Sequence, residues 1–272
     1  MRLVISGSGS FIARAVIEAC KASGMECLPL RHGDDLQAAL RPGDSLINFA
    51  IDPVYRSGLY HEDQDCDLRA ARAAAAAGCH FTMLSTRRVY GAQSRWDAAE
   101  TASATGDETA YGRNKATSER AARQICGDAI GIFRLSNIFG YEYAQTPRRT
   151  FLGLLLHALK QQDKIYFDMA PATRRDFLPV EICAKLLVAR SADRTAGTYN
   201  LGSGFAVPCG DMAGWVMEGY GGGELVCNSM DITDEFFLNM GRWRSQYDLP
   251  VDTGLLKAYC VGLGRRLECE RS

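Results

Sequence analysis

Short apolar runs alternate along this chain with stretches in which apolar residues recur at helical spacing. Arg2-Leu3-Val4-Ile5-Ser6 is the first run; Gly7-Ser8-Gly9-Ser10 interrupts it, and a helical pattern continues from Phe11 to about Cys20. The runs Glu26–Leu30, Ser45–Ala50 and Phe81–Ser85 repeat the strand signal, and the alanine-rich stretch from Asp63 to Ala77 predicts a helix. A further helix opens near Tyr111 and passes through Ala116, Glu119, Ala122 and Ile125, ahead of a strand over Ala129–Arg134. Fully apolar strands separated by helices specify an α/β fold, a doubly wound parallel sheet. Beyond Gly140 the character changes. Arg148 and Arg149 precede a helix through Lys160, Thr173–Phe177 reads as a polar loop, and a helix starts near Val180. A short strand covers Thr198–Gly202, Gly221-Gly222-Gly223 marks a turn, and Gly241-Arg242-Trp243 follows. The expected division is a sheet domain over 1–140 with a returning segment near 171–200. A smaller, interleaved part takes 141–170 and 201–272.

Strand, glycine-rich turn, helix is the context in which backbone N–H groups approach a pyrophosphate and a helix N-terminus favours its charge. Gly7 and Gly9 fit that role; Ser10 and Ala13 stand where further glycines are expected, and both are small. An ordinary Gly/Ser turn is the alternative. The residue after the second strand meets an adenosine ribose in such folds. An acid there prefers a free 2′-hydroxyl and an arginine a 2′-phosphate. Arg31 leans towards NADP, while Asp34 and Asp35 keep NAD open. Tyr111 and Lys115 are four apart and share a helix face. An adjacent ammonium stabilises phenolate and lowers a tyrosine pKa from about 10. Such a tyrosine passes protons to and from a carbinol oxygen. Alone, the pair also reads as a solvated helix start. Thr86 lies at the carboxyl end of its strand, where ligands bind in open α/β sheets.

Composition narrows the field. Hydrophobic residues make up 47% and charged residues 23% of 272, ordinary for a soluble globular protein. A formal net charge of −1 leaves no footprint for nucleic acid or an acidic membrane. No apolar run approaches the roughly 18 residues of a membrane span, and the interrupted N-terminal run argues against a signal peptide. A cytoplasmic protein is expected. The 10 cysteines form no Cys-x-x-Cys pair and no metal-spaced cluster. Segments such as Ile182-Cys183 and Val226-Cys227 indicate reduced, buried thiols, and no metal site is expected.

Six ordered segments resemble the extended short-chain dehydrogenase/reductases of the NAD-dependent epimerase/dehydratase type, which act on nucleotide-activated sugars. They are Ser6–Ala13, Ser85-Thr86-Arg87-Arg88-Val89-Tyr90-Gly91, Tyr111-Gly112-Arg113-Asn114-Lys115, Arg134–Gly140, Arg175-Asp176-Phe177 with Val180, and Thr198–Gly204. Departures are Ser10 and Ala13 for glycines and Asn114 for a Ser/Thr. The resemblance implies a Rossmann dinucleotide-binding domain with a substrate-binding part. It implies Thr86, Tyr111 and Lys115 as the catalytic group. Gly7, Gly9, Ser10, Phe11, Ile12, Arg31, Ala50 and Ser85, with Tyr111 and Lys115, would hold NADP or NAD. Thr86, Arg87, Asn137 and Arg175 would face the substrate. A turn-capping Asn137, and an Arg175 that is solvated or paired with Asp176, stay open. A homodimer through a four-helix interface is implied as well.

The pair after Thr86 narrows the reaction. Dehydratases of this family carry an Asp-Glu pair there, and this chain carries Arg87-Arg88. A guanidinium stays protonated and does no acid/base work. Dehydration is disfavoured, which leaves keto-sugar reduction, favoured by Arg31 and the short chain, or 4-epimerisation, favoured by Val89-Tyr90-Gly91. A catalytically weak dinucleotide-binding regulator is the reading from another class.

Overall fold

The computed structural model describes residues 1–91, 95–106, 108–141, 150–248 and 251–270; Arg148 and Arg149 lie outside the described residues. In chain order the strands are β1 (Leu3–Ser6), β2 (Cys27–Leu30), β3 (Ser45–Asn48), β4 (His80–Thr86), β5 (Trp96–Ala98), β6 (Ile130–Leu135), β7 (Asn137–Phe139), β8 (Lys164–Phe167), β9 (Arg174–Arg175), β10 (Phe177–Pro179), β11 (Gly197–Leu201), β12 (Val207–Pro208), β13 (Glu224–Cys227) and β14 (Phe237–Leu238). The helices are α1 (Phe11–Ser23), α2 (Leu36–Ala39), α3 (Cys66–Ala76), α4 (Ala110–Cys126), α5 (Phe151–Gln162), α6 (Val180–Ala192), α7 (Cys209–Tyr220), α8 (Gly241–Arg244) and α9 (Thr253–Cys269). The chain forms two compact units, Met1–Leu135 with Glu181–Leu201, and Ser136–Val180 with Gly202–Ser272.

The first unit is a six-stranded parallel sheet in the order β11-β6-β4-β3-β1-β2. Alternate residues face opposite sides of a strand, and the two sides are dressed differently. Leu46, Phe81, Met83 and Ile132 join Ala70, Ala71, Ala74 and Ala122 in one buried cluster, so α3 and α4 cover that face. On the other face Ser45 Oγ donates to the Ser191 carbonyl at 2.9 Å, and the Thr82 and Ser191 hydroxyls share a 3.0 Å bond, which ties α6 down. Alanine is the dominant contact residue of α3, which lets that helix lie close to the strands. Helix α1 starts at Ser10, whose Oγ accepts from Ala13 N, and stops at Gly24 with φ 70°.

In the second unit three small ladders pair β7 with β10, β8 with β13, and β9 with β12. Helices α5, α7 and α9 pack together. The crossing of α7 and α9 is set by two glycines. A Cβ on Gly219 would overlap the Val261 carbonyl, and one on Gly264 would overlap the Val216 carbonyl. Neither helix was legible in the sequence pattern.

Three expectations need correction. The returning segment of the first unit is Glu181–Leu201; residues 171–180 belong with 136–140 in the second, because β7 and β10 pair with each other. Thr173–Phe177 is no simple polar loop, since Arg174–Arg175 and Phe177–Pro179 are strands around a fully buried Asp176. Cys227 is exposed, against its apolar neighbours, while Cys183 is buried; all ten thiols are free. Among the described residues no helix is long and apolar enough to cross a membrane.

Candidate active site

The glycine loop leaves β1 through Gly7, at φ +71°, where a Cβ would stand 2.5 Å from Ala50 N. Only glycine fits, and the loop backbone therefore lies directly on the end of β3. Gly9 is exposed, and a Cβ there would meet nothing within 4 Å. Ser10 takes over the helix cap, and fully buried Ala13 explains why the next position stays small. Phe11 and Ile12 are half-buried in the first turn of α1.

A cavity of about 490 Å³ opens beside this loop at the carboxyl ends of β1, β2 and β3, lined among others by Ser6, Arg31, Asp34, Asn48, Ala50 and Arg69. Arg31 is exposed on its wall. Both acids that left NAD open are engaged with backbone. Asp34 Oδ2 accepts from Arg31 N at 2.6 Å, and Asp35 Oδ1 accepts from Gln37 N and Ala38 N at the start of α2.

Helix α4 begins at Thr109, whose Oγ1 accepts from Gly112 N at 2.9 Å. A Cβ on Gly112 would overlap the Arg88 carbonyl, so the first turn of α4 lies against the turn that follows Thr86. Thr86 is half-buried, and its Oγ1 accepts from Arg88 N at 3.3 Å. Tyr111 is half-buried, with its ring edge-to-face against Tyr55 at 6.4 Å and 82°. Asn114, in the Ser/Thr position, donates to the Tyr55 carbonyl at 2.8 Å and the Gly58 carbonyl at 3.2 Å. Lys115 is 5% exposed. Its Nζ donates to Asp67 Oδ2 at 2.5 Å and to the Leu84 carbonyl at 2.8 Å. Burial opposes its charge, but the Asp67 carboxylate outweighs that, and the Lys115 pKa stands above the ordinary lysine value. The carboxyl end of β4, the start of α4 and the start of α3 thus bring Thr86, Tyr111 and Lys115 into one region.

Two residues expected at a ligand, Ser85 and Arg87, are buried. Ser85 is buried and donates its hydroxyl to Glu119 Oε1 at 2.5 Å. Glu119 is in turn held by Arg134 through Nε at 3.1 Å and Nη2 at 2.7 Å. The Arg134 guanidinium stacks on Tyr90, whose hydroxyl donates to Asn200 at 2.6 Å, and burial pushes the Tyr90 phenol up to about 12. Arg87 is 7% exposed.

The second unit holds the other two substrate candidates. Asn137 opens β7, half-buried, with its N–H on the Asp176 carbonyl at 3.3 Å. Arg175 donates from Nε to the Asp234 carbonyl at 3.2 Å and from Nη2 to the Thr233 carbonyl at 3.1 Å. It borders a cavity of about 430 Å³ with Phe151, His157, Tyr166, Phe167 and Asp168. Asp176 is no partner for Arg175: its carboxylate accepts from Ser203 N, Ser203 Oγ, Leu238 N and Gly204 N at 2.8–3.3 Å. Burial raises its pKa against these donors.

Asp67 and Asn48 were not foreseen. The signal was present: Asp67 shares a helix face with buried Ala70, Ala71 and Ala74, where a lone acid needs a partner.

Across residues 3–202 the chain matches the family model described as NAD dependent epimerase/dehydratase family. The chain belongs to the NAD-dependent epimerase/dehydratase family. No curated protein sequence matches it. Solved structures share the family's fold at low identity. One is MoeE5 in complex with UDP-glucose and NAD, at TM-score 0.80 and 18% identity, with 98% of this chain and 99% of that chain covered. Another is a UDP-N-acetylglucosamine 4-epimerase from Bacillus cereus, at TM-score 0.80 and 14% identity, with 98% and 99% covered. A dTDP-4-dehydrorhamnose reductase from Yersinia enterocolitica follows at TM-score 0.75 and 15% identity, with 97% and 99% covered. An epimerase and a reductase therefore share the fold of this chain.

Proposed function

We propose that the protein is an NAD(P)-dependent oxidoreductase acting at a carbinol or keto carbon of a nucleotide-activated sugar, and that it works as a keto-sugar reductase. The observation that carries this reading is the seat of Tyr111 and Lys115 against the end of β4, on the sheet that also carries the Gly7 loop. The residues fit a dinucleotide. Gly7 brings the loop backbone onto Ala50, Gly9 faces open space, α1 starts with a capped N-terminus, and the 490 Å³ cavity beside them has adenosine-sized room with Arg31 on its wall. When bound, a nicotinamide dinucleotide supplies or removes hydride. Gly7, Gly9, Ser10, Phe11 and Ile12 would hold its phosphates, Arg31 and Ala50 its adenosine end, and Lys115 its nicotinamide end.

Tyr111 gives a proton to the carbonyl oxygen as that oxygen becomes a hydroxyl, and takes it back in the reverse direction. Thr86 donates a hydrogen bond to the same oxygen. Lys115 holds positive charge on the Tyr111 face of α4. Within the second unit, Arg175 would offer to a phosphate the guanidinium donors not given to Asp234 and Thr233, and it borders a cavity with Phe151, Tyr166 and Phe167. Elimination chemistry lacks its carboxylates, since Arg87 and Arg88 occupy the turn after Thr86.

A 4-epimerase is the second reading, since the same Thr86, Tyr111 and Lys115 group with a nicotinamide would also serve transient oxidation and re-reduction of a sugar carbinol. Tyr90 does not weigh for it, because that side chain is buried against Asn200 and Arg134. Incubation with a panel of keto and hydroxy nucleotide sugars separates the readings. Net oxidation of NADPH with a reduced sugar product supports the reductase. An epimeric product at constant cofactor supports the epimerase, and binding without turnover supports a regulator. Tyr111→Phe is expected to cut kcat by about 10²-fold or more, the usual worth of a general acid, while cofactor titration by fluorescence stays within a factor of about three. A variant with full activity removes the acid/base role.

A further inference from the structure

Lys115 and Asp67 form an ion pair that the motif pattern does not require, and both partners are inside the protein, at 5% and 3% exposure. We infer that Asp67, anchored by Asn48, is a positioning residue for the proton-transfer centre: it keeps Lys115 an ammonium in a dry site and fixes the direction of its remaining N–H. Its catalytic meaning rests on the reading of Tyr111 and Lys115 given above; its physical content does not.

The geometry is closed on most sides. A lysine ammonium has three donors. Two are taken, by Asp67 Oδ2 at 2.5 Å and the Leu84 carbonyl at 2.8 Å, and the Tyr55 ring lies 5.9 Å from Nζ. One donor remains for a ligand or for Tyr111. The second Asp67 oxygen accepts from Asn48 Nδ2 at 2.7 Å. Asn48 also accepts from Ala50 N and donates to the Ala50 carbonyl, each at 3.1 Å. Because Gly7 packs on Ala50, the orientation of the Lys115 charge is tied to the backbone on which the glycine loop rests.

The other titratable groups around Nζ do not replace Asp67. Asp65 caps α3 with Oδ1 and receives Ser118 Oγ at 2.5 Å and the Tyr60 hydroxyl at 3.0 Å with Oδ2. The Tyr55 phenol shares a 2.6 Å bond with Ser118 and is pushed up by burial, so it stays neutral. From β4 the Leu84 carbonyl is the contact. One turn further along α4, Glu119 is matched by Arg134. Tyr111 is the remaining partner, and it is the group the charge serves. An ammonium removed from water without a counter-ion falls towards the neutral amine. In Asp67→Asn, Lys115 is therefore left with dipoles alone.

The test is a pH titration of the chain labelled with [13Cε]lysine, followed by NMR. There are six lysines, and the Lys115 signal is identified by its loss in Lys115→Arg. In the natural chain, Lys115 is expected to remain protonated beyond the pH at which Lys21, Lys160, Lys164, Lys185 and Lys257 titrate. In Asp67→Asn its midpoint is expected to fall by at least one pH unit, a tenfold loss of proton affinity, to below theirs. Asn48→Ala is expected to shift it less and in the same direction. A Lys115 that titrates with or below the others in the natural chain overturns the inference, and so does an unshifted midpoint in Asp67→Asn. If Asp67→Asn does not fold, the natural-chain titration and Asn48→Ala decide. The expected titration in a chain without turnover keeps Asp67 in its role and removes the oxidoreductase reading; turnover with an unshifted Lys115 does the reverse.

Discussion

Arg31 shows how much one exposed side chain carries at the residue scale. Its backbone N–H is bound by one oxygen of Asp34, and one oxygen of Asp35 caps the start of α2, while both acids line the same cavity as Arg31. Under the proposed NADP preference the Arg31 guanidinium on the cavity wall would face the 2′-phosphate, and a charge-assisted hydrogen bond contributes about 1.5–3 kcal/mol. Arg31→Ala is accordingly expected to weaken NADPH by about tenfold or more and NADH by less than about threefold, read by fluorescence titration. Equal losses for the two cofactors refute the preference. Ser85 teaches the opposite lesson. Its motif position suggests a ligand, but its hydroxyl belongs to Glu119, and through Glu119 to Arg134 and Tyr90.

At the scale of elements, α9 contains its own controlled comparison. A Cβ on Gly262 would meet nothing within 4 Å, while one on Gly264 would overlap the Val216 carbonyl of α7. Alanine is favoured over glycine in a helix by about 1 kcal/mol. Gly262→Ala is expected to raise the thermal midpoint. Gly264→Ala is expected to lower it, because overpacking costs about 1–3 kcal/mol and exceeds the propensity gain. Calorimetry of the two variants checks both signs. Such contacts also mark where sequence reading stops. The strands of the large sheet were legible because burial on both faces writes continuous apolar runs such as Leu46-Ile47 and Phe81–Leu84. Helices α7 and α9 were not, since glycines that enable close packing read locally as helix breakers. The ladders of β9, β10 and β12 span two or three residues and carry no period. Tyr111, Lys115 and Thr86 stood out through spacing and strand position. Asp67 did not, because its partner is 48 positions away and only the fold brings the two together.

For the whole molecule, stability carries a pH signature through His80. Burial, aided by the Arg194 charge, pulls its pKa down to about 4, against about 6.5 in an unfolded chain. Its Nε2 is buried without a hydrogen-bond partner. The unfolded state therefore binds more protons between pH 6.5 and 4, and stability falls as pH drops through that window; above it the term is constant. Urea unfolding at pH 7, 6, 5 and 4.5 is expected to show this decline, and His80→Leu is expected to flatten it. Equal slopes in the two chains refute the assignment. The returning strand β11 has a further consequence, during synthesis. β6 is complete at Leu135, but the neighbour that covers its edge begins at Gly197. At ribosomal rates of about 5–20 residues per second, that edge waits roughly 3–12 seconds for its partner. Through that interval a nascent chain has five of the six strands, and β6 is an edge strand in addition to β2, an arrangement in which unpaired strand edges can recruit other chains.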